Sequence, residues 1–178
     1  MSLDRTKVGT HSVTMTTEFT YTPQVPDFTE TDTVTFTITI IDPCETTVIN
    51  DAVFNPTTLT VVNGATATMT FNEVTDTIEV LRNIDTLCQA RSYTLLMNDG
   101  TTPASFLTLT GNAGGPYTIT AAPTLDSHAG SWQFKLKTTL DAYPSNANND
   151  HITVIPVVVN GAVCDPAGLL WVATPQVT

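Results

Sequence analysis

The sequence predicts an all-β protein, in which short antiparallel strands pack as a sandwich. The chain of 178 residues is rich in threonine and valine, residue types that favour strands. Apolar and polar residues alternate in short runs, and clusters of Gly, Pro or Asn separate these runs roughly every ten residues. No window carries the apolar spacing of a long amphipathic helix.

The clearest element is a hairpin predicted within residues 125–159. Two runs of alternating apolar and polar residues flank a turn that is rich in Asn. Because successive side chains of a strand point to opposite faces of the sheet, we expect the apolar residues of both runs on one inner face. The core positions predicted in this way are Trp132, Phe134, Leu136, Ile152 and Val154.

The same pattern occurs a second time near the N-terminus, over residues 8–40. Alignment of the two stretches pairs Gly9 with Gly130, Val13 with Phe134, Met15 with Leu136, Phe19 with Leu140, Pro23 with Pro144, Asp32 with Asp150, Val34 with Ile152 and Phe36 with Val154. Each stretch then leads to a cysteine beside an Asp-Pro step, at Cys44 and Cys164. The chain therefore carries the last two strands of a repeat twice.

This repeat divides the chain into three parts. Residues 1–43 hold an N-terminal β-hairpin equivalent to the last two strands of a preceding repeat, residues 44–160 a complete sandwich, and residues 161–178 the opening segment of a following repeat. Earlier strands of the sandwich are expected at residues 57–62, 65–71, 77–82, 92–98, 106–110 and 117–121.

Asp126, Gly130 and Trp132 resemble the corner before the sixth strand of immunoglobulin-like domains, where the family has Asp-x-Gly-x-Tyr. Here two extra residues separate the Asp from the Gly, and a Trp replaces the Tyr. With the cysteine segments IDPC and CQARSYTL, the corner is similar to tandem Ig-like or cadherin-like modules of microbial surface or filament proteins. The resemblance implies an antiparallel Ig-like β-sandwich with an additional N-terminal β-hairpin from a neighbouring repeat.

The sequence has three cysteines, so one thiol remains free if the other two form a disulfide. The repeat gives Cys44 and Cys164 the same place in successive copies. We therefore expect a disulfide between Cys44 and Cys88, with Cys164 unpaired within this chain. The alternative is three free thiols in a reducing compartment. The acidic, lysine-poor composition favours the oxidised interpretation, and with it an extracellular or cell-surface location.

Charge and hydropathy exclude two classes of partner. The formal net charge is -11 with only six basic residues, so phosphate backbones would repel the chain, and nucleic-acid binding is not expected. No apolar run reaches the ~20 residues of a membrane-spanning helix, so membrane insertion is not expected.

No catalytic or zinc site is predicted. Asp126, Ser127 and His128 are adjacent in a turn. A catalytic triad needs a hydrogen bond between Ser and His and another between His and Asp, and three adjacent residues cannot form both at the same time. The remaining histidines, His11 and His151, have no ligand spacing of the HxH or HExxH kind. We therefore expect a protein that is not an enzyme.

Calcium and glycans are the ligands that the sequence leaves open. Acidic and amide side chains cluster at loop ends in three groups: Asp27, Glu30 and Asp32; Asn146, Asn148, Asn149 and Asp150; and Asp42, Glu45 and Asp51. Such oxygen ligands suit Ca²⁺, but solvated turns favour the same residues. Threonines beside proline suggest O-glycan acceptors at Thr22, Thr57, Thr102 and Thr124, although Thr is also a good exposed strand residue.

The repeat predicts assembly. We expect a non-enzymatic structural module of an extracellular linear array or filament, whose partners are other copies joined head to tail. The residues expected at the junctions are Val34, Phe36, Ile38, Ile40, Leu170 and Trp171. The alternative is an adhesion or carbohydrate-binding module that uses the loops at one end, with glycans as partners.

Overall fold

The computed structural model describes residues 5–21, 28–82, 88, 90–144 and 146–161. Within them, an N-terminal hairpin is followed by a two-sheet sandwich. The hairpin consists of β1 (Gly9–Tyr21) and β2 (Phe28–Ile40), which pair antiparallel from Gly9 opposite Ile40 to Tyr21 opposite Phe28. It forms a separate two-stranded sheet.

In its described residues the sandwich contains seven strands and one short α-helix. The strands are β3 (Leu59–Val62), β4 (Ala67–Phe71), β5 (Arg91–Leu96), β6 (Leu107–Thr110), β7 (Tyr117–Ala121), β8 (Gly130–Leu140) and β9 (Asp150–Asn160), and the helix is α1 (Thr77–Arg82). One sheet has the order β3-β9-β8-β5 and the other the order β4-β7-β6. Only the β3–β9 pair is parallel among these strand pairs. A Greek-key sandwich of this strand order is an immunoglobulin-like fold, which confirms the predicted fold class.

The core lies between the two sheets, where alternate residues of each strand point inward. Met69 and Ile119 from one sheet and Phe134, Leu136 and Ile155 from the other are fully buried. At one end of this core Phe71 stacks on Tyr117 and meets Phe54 and Tyr93 edge to face. Such interdigitation of two inner faces is what holds a β-sandwich together.

The corner before β8 carries a hydrogen bond made by Trp132. Its indole Nε1–H donates to the carbonyl of His128 at 2.6 Å, four residues upstream. The half-buried ring packs against Phe106 and Phe134. In immunoglobulin-like domains a Tyr hydroxyl at this corner bonds back to the backbone a few residues upstream, and here an indole N–H takes that role.

Two of the predicted core residues face outward. Ile152 and Val154 are 39% and 46% exposed, whereas Ile155 and Val157 are buried. The prediction failed because β9 is apolar on both faces, so its own alternation does not show which set points inward. The pairing of β9 with β8 determines which residues of β9 point inward. Phe134 lies opposite Ile155, so both face the core. A shift of this register by one residue would exchange the inward and outward faces of β9.

Residues 77–82 were expected as a strand but form the helix α1. Asp76 caps this helix, because its Oδ1 accepts the backbone N–H groups of Ile78 and Glu79. Glu79 reaches back to the N–H of Asp76 at 3.3 Å. This reciprocal capping box is a helix-start signal that the sequence analysis overlooked. Within the described residues no helix is long and apolar enough to cross a membrane.

A disulfide joins Cys44 and Cys88, the pair expected from the repeat. Cys44 lies in a 3-10 helix, Pro43–Glu45, and its N–H is accepted by the side chain of Asp42. The buried amide of Asn146 donates to the carbonyls of Cys44 and Thr47. The start of the sandwich is therefore fixed to the segment before β5 and to the β8–β9 turn. Cys164 lies outside the described residues.

The facing of β9 can be tested with two isoleucines on one strand. Ile155→Ala should lower the free energy of unfolding by about 2–5 kcal/mol, because it removes buried methyl groups and leaves a cavity. Ile152→Ala should lower it by less than about 1 kcal/mol, since this side chain is partly in solvent already. Urea denaturation of both variants measures the difference. Equal losses would contradict the observed register.

The disulfide should contribute about 4 kcal/mol, because it closes a loop with a sequence separation of 44. Replacement of both Cys44 and Cys88 by Ala should lower the urea midpoint accordingly, whereas Cys164→Ala should leave it unchanged. Peptide mapping without reductant identifies the bonded pair. A bond between Cys88 and Cys164 would contradict the assignment.

Candidate assembly surface

The N-terminal hairpin has one hydroxyl-rich face and one apolar face. Residues directly opposite in an antiparallel pair share a face, so the register assigns the side chains of residues 9–20 and 29–40 to one face or the other. The hydroxyl-rich face is made of Thr, Ser and one Glu, and its Thr10–Thr39 and Thr14–Thr35 pairs form side-chain hydrogen bonds. The other face carries Val13, Met15, Phe19, Val34, Phe36, Ile38 and Ile40, and we call it the apolar face below. It also carries His11, Thr17, Glu30 and Asp32.

The hairpin begins in the same way as the β8–β9 hairpin of the sandwich. A 3-10 helix of three residues precedes each first strand, at Arg5–Lys7 and at Asp126–His128. After one intervening residue the strand starts at a glycine, Gly9 or Gly130, with φ of 132° or 131°. Only glycine adopts this backbone conformation readily, so the same chain path is encoded twice.

The corner hydrogen bond is also repeated. Nε2 of His11 lies 2.8 Å from the carbonyl oxygen of Lys7, four residues upstream, just as Trp132 donates to the carbonyl of His128. Because a carbonyl only accepts, Nε2 of His11 carries the proton in this bond. His11 and Trp132 occupy corresponding places after their glycines. The two hairpins are thus equivalent in their corners and in the glycines that start their first strands.

The paired strands correct the predicted alignment of the two hairpins. Val13 lies opposite Phe36, and the corresponding Phe134 lies opposite Ile155. Phe36 therefore corresponds to Ile155 rather than to Val154. By the same register Val34 matches Thr153, and not Ile152. The sequence alignment of β1 with β8 therefore agrees with the structure, whereas the alignment of β2 with β9 was displaced by one residue.

Equivalent side chains differ sharply in burial. Phe134, Leu136, Leu140, Ile155, Val157 and Val159 of the second hairpin are at most 2% exposed. On the apolar face of the first hairpin, Met15, Phe19, Val34, Phe36, Ile38 and Ile40 are 41–64% exposed. Among the described residues neither β1 nor β2 pairs with a strand of the sandwich. A face that is core in one hairpin is thus surface in the other.

Several predicted positions lie outside the described residues. Among the junction residues these are Leu170 and Trp171, and among the threonines and acidic residues they are Thr22 and Asp27. The other predicted glycan acceptors, Thr57, Thr102 and Thr124, are all exposed. The hydroxyl of Thr102 donates to Asp99, which lowers the pKa of that carboxyl to about 2 together with two backbone N–H donors.

Members of two of the three predicted calcium groups are engaged in bonds of the fold. Asp51 contacts His151 at 2.8 Å, and Asp150 contacts Lys137 at 2.7 Å, which lowers the pKa of Asp150. Asn149 accepts the N–H of Leu140 at 2.8 Å. Within the part of the chain that the structure describes, no group of three or more His, Cys, Asp and Glu side chains is arranged to hold a metal ion.

Residues of the Asp126–Ser127–His128 segment also make contacts that stabilise the fold. Its three residues form the 3-10 helix before Gly130, so they lie in sequence along one turn. Asp126 accepts a hydrogen bond from the amide of Asn63 at 3.2 Å. The ring of His128 packs against Phe106, and its Nδ1 accepts the N–H of Thr124 at 3.3 Å.

The comparisons with known proteins found solved structures that resemble the chain at low sequence identity and low TM-score. No protein-family model matches the chain. No curated protein matches it. The crystal structure of titin domain M3 gives a TM-score of 0.40 at 9% identity, over 64% of this chain and 96% of that chain. A titin M10 complex with obscurin-like 1 Ig gives 0.39 at 14% identity, over 66% and 97%.

An enzyme is also among the similar structures. An endo-fucoidan hydrolase of glycoside hydrolase family 107 gives a TM-score of 0.38 at 13% identity, over 88% of this chain but 19% of that chain. The assignment of the fold rests on the strand order of the sandwich and not on these similarities.

Proposed function

We propose that the chain is a non-enzymatic structural module of an extracellular linear array, in which Ig-like units follow one another head to tail. The N-terminal hairpin supplies the last two strands of the preceding unit. One observation carries this proposal: the hairpin repeats the corner, the glycine and the strand pairing of β8–β9, yet its apolar face is exposed.

Burial of the apolar face against other strands would be favourable in free energy. Full burial of a Val, Ile, Met or Phe side chain contributes about 1.5–3 kcal/mol. An isolated two-stranded hairpin is marginally stable in water at best. Contact with the other strands of an Ig-like unit would remove from water the side chains that the equivalent β8–β9 hairpin buries.

The connections set the direction of the array. β2 leads through residues 41–43 to Cys44, which is held beside Asn146 in the β8–β9 turn. β9 ends at Asn160, next to the start of β8, because Val159 lies opposite Gly130. The chain thus enters the sandwich at one end of the β8–β9 hairpin and leaves at the other, about 35 Å away for an 11-residue strand.

Contacts between such unlike ends are heterologous, and they propagate as a line unless the rotation closes into a ring. The array can be built from separate chains or from successive units of one polypeptide. The Cys44–Cys88 disulfide supports an oxidising location, since such bonds persist mainly outside the cytosol.

Deletion of residues 1–41 should leave a folded sandwich that no longer associates. The core, the disulfide and the Asp42 cap all lie in the retained part of the chain. Sedimentation velocity over a range of concentrations measures association, and a thermal melt reports folding. Loss of the cooperative melt on deletion would show that the hairpin belongs to the core of its own chain, against the proposal.

A matched pair of point variants separates the apolar face from general effects of charge. Phe36→Glu introduces a carboxylate into the apolar face, whereas Thr35→Glu places one on the opposite face of the same strand. Concentration-dependent association of the full chain should be lost in the first variant and kept in the second. Equal behaviour of the two variants would contradict a role for this face.

A further inference from the structure

The pentapeptide VVNGA occurs twice in the chain, at residues 61–65 and 158–162. Its two Asn-Gly steps lie side by side at one end of the sandwich. Asn63-Gly64 forms the turn after β3, and Asn160 is the last residue of β9. The backbone N–H of Asn63 donates to the carbonyl oxygen of Asn160 at 2.8 Å. The same local sequence is thus present in two different structural settings.

An Asn-Gly step can react with itself. The backbone nitrogen of the glycine, once it has lost its proton, attacks the side-chain carbonyl carbon Cγ of the asparagine. A new C–N bond closes a succinimide ring, and the side-chain nitrogen takes up a proton and leaves as ammonia. Water then opens the ring at either carbonyl, which gives aspartate or isoaspartate. Glycine favours the attack, because it has no Cβ to obstruct the approach and its backbone rotates freely.

The Asn63-Gly64 step is held out of this reaction by its hydrogen bonds. The N–H of Gly64 donates to the carbonyl oxygen of Pro123 at 2.8 Å, so the nitrogen that would attack is engaged. The side-chain amide of Asn63 donates to Oδ1 of Asp126 at 3.2 Å, which holds the group that would be attacked. Gly64 has φ of 84°, a turn conformation that favours glycine. Succinimide formation at Asn63 therefore has to break at least these two bonds.

The Asn160-Gly161 step is open by comparison. Both residues are exposed. Within the described part of the chain, the side chain of Asn160 and the N–H of Gly161 make no hydrogen bond. A Cβ built at Gly161 would meet no atom within 4 Å apart from its chain neighbours, so the space around the attacking nitrogen is free. Rotation of this nitrogen towards Cγ breaks the hydrogen bond from Asn63 to the Asn160 carbonyl, but neither reacting group has to be released first.

These two settings give one chemistry two different rates. We propose that Asn160 is a site of spontaneous deamidation in the folded protein, through a succinimide formed with Gly161, and that the fold protects Asn63 from the same reaction. One water molecule is consumed and one ammonia is released, so the side-chain amide becomes a carboxylate. No oxidant, reductant or enzyme takes part.

Deamidation changes the point at which the chain leaves the sandwich. Each event adds one negative charge at the end of β9. The isoaspartate product also routes the backbone through the former side chain, which inserts one methylene group before Gly161. In the proposed array this connection leads to the following unit, so the modification accumulates at the joints with time. The reaction itself does not depend on the array.

The proposal is tested by incubation of the folded full chain at mildly alkaline pH, followed by peptide mapping with tandem mass spectrometry. Conversion of the amide to the acid should be at least about tenfold faster at Asn160 than at Asn63, because more hydrogen bonds have to break at Asn63. In guanidinium chloride the two rates should become equal, since both steps lie in the same pentapeptide. Equal rates in the folded chain, or no conversion at Asn160, overturn the proposal.

Two glycine variants test the route of the reaction. Gly161→Ala places a Cβ beside the attacking nitrogen and should slow conversion at Asn160 by about tenfold or more. The new methyl group fits, because the surrounding space is free and Gly161 is not among the glycines with a positive φ. Gly115→Ala is the matched control at a second glycine without a positive φ, and it should leave the rate at Asn160 unchanged.

The products distinguish the succinimide from direct hydrolysis of the amide. Opening of the ring gives isoaspartate together with aspartate, whereas direct hydrolysis gives aspartate alone. Isoaspartate at Asn160, with a lower rate in Gly161→Ala, supports the proposal. Aspartate without isoaspartate, or an unchanged rate in Gly161→Ala, overturns it. Neither result bears on the association measured through Phe36→Glu, so this inference and the array proposal can fail independently.

Discussion

The pairing of β8 with β9 is the constraint on which the rest of the structure depends. A two-stranded hairpin places alternate residues of both strands on one face, and an apolar face of that size is stable only when other strands cover it. In the sandwich, β5 extends the sheet beside β8, β3 extends it beside β9, and the sheet β4-β7-β6 covers the inner face. The N-terminal hairpin has the same pairing, but within the described part of the chain it lacks those neighbours.

Sequence reasoning succeeded where one face is apolar and the other polar. The alternation of Phe134 and Leu136 with Lys135 and Lys137 identifies the inner face of β8, and glycine identifies the start of both hairpins. It failed on β9, where Val154, Ile155, Val157 and Val158 make both faces apolar. Only the partner strand fixes such a register, and that information is not local.

The buried charges around Arg91 show a second limit. Asp76 and Glu79 carry a local signal, the capping box, which predicts the start of α1. Their contact with Arg91 depends on the way β5 enters the sheet, and no spacing in the sequence encodes it. The buried ion pairs of Arg91 with Asp76 and Glu79 therefore appear only when the chain is folded. That Val34, Phe36, Ile38 and Ile40 share one face of a hairpin could be predicted from the sequence, because the hairpin is a local element.

The central claim is that the N-terminal hairpin completes an Ig-like unit. It is tested most directly by a fusion protein in which residues 44–125 precede residue 5 of the chain, so that residues 5–41 take the place that residues 126–160 hold in the sandwich. Hydrogen exchange of the β1 and β2 amides is measured in the fusion and in the original chain. The account predicts that exchange in the fusion slows to the rate set by global unfolding of the completed unit. Exchange at the same rate in both proteins would contradict it.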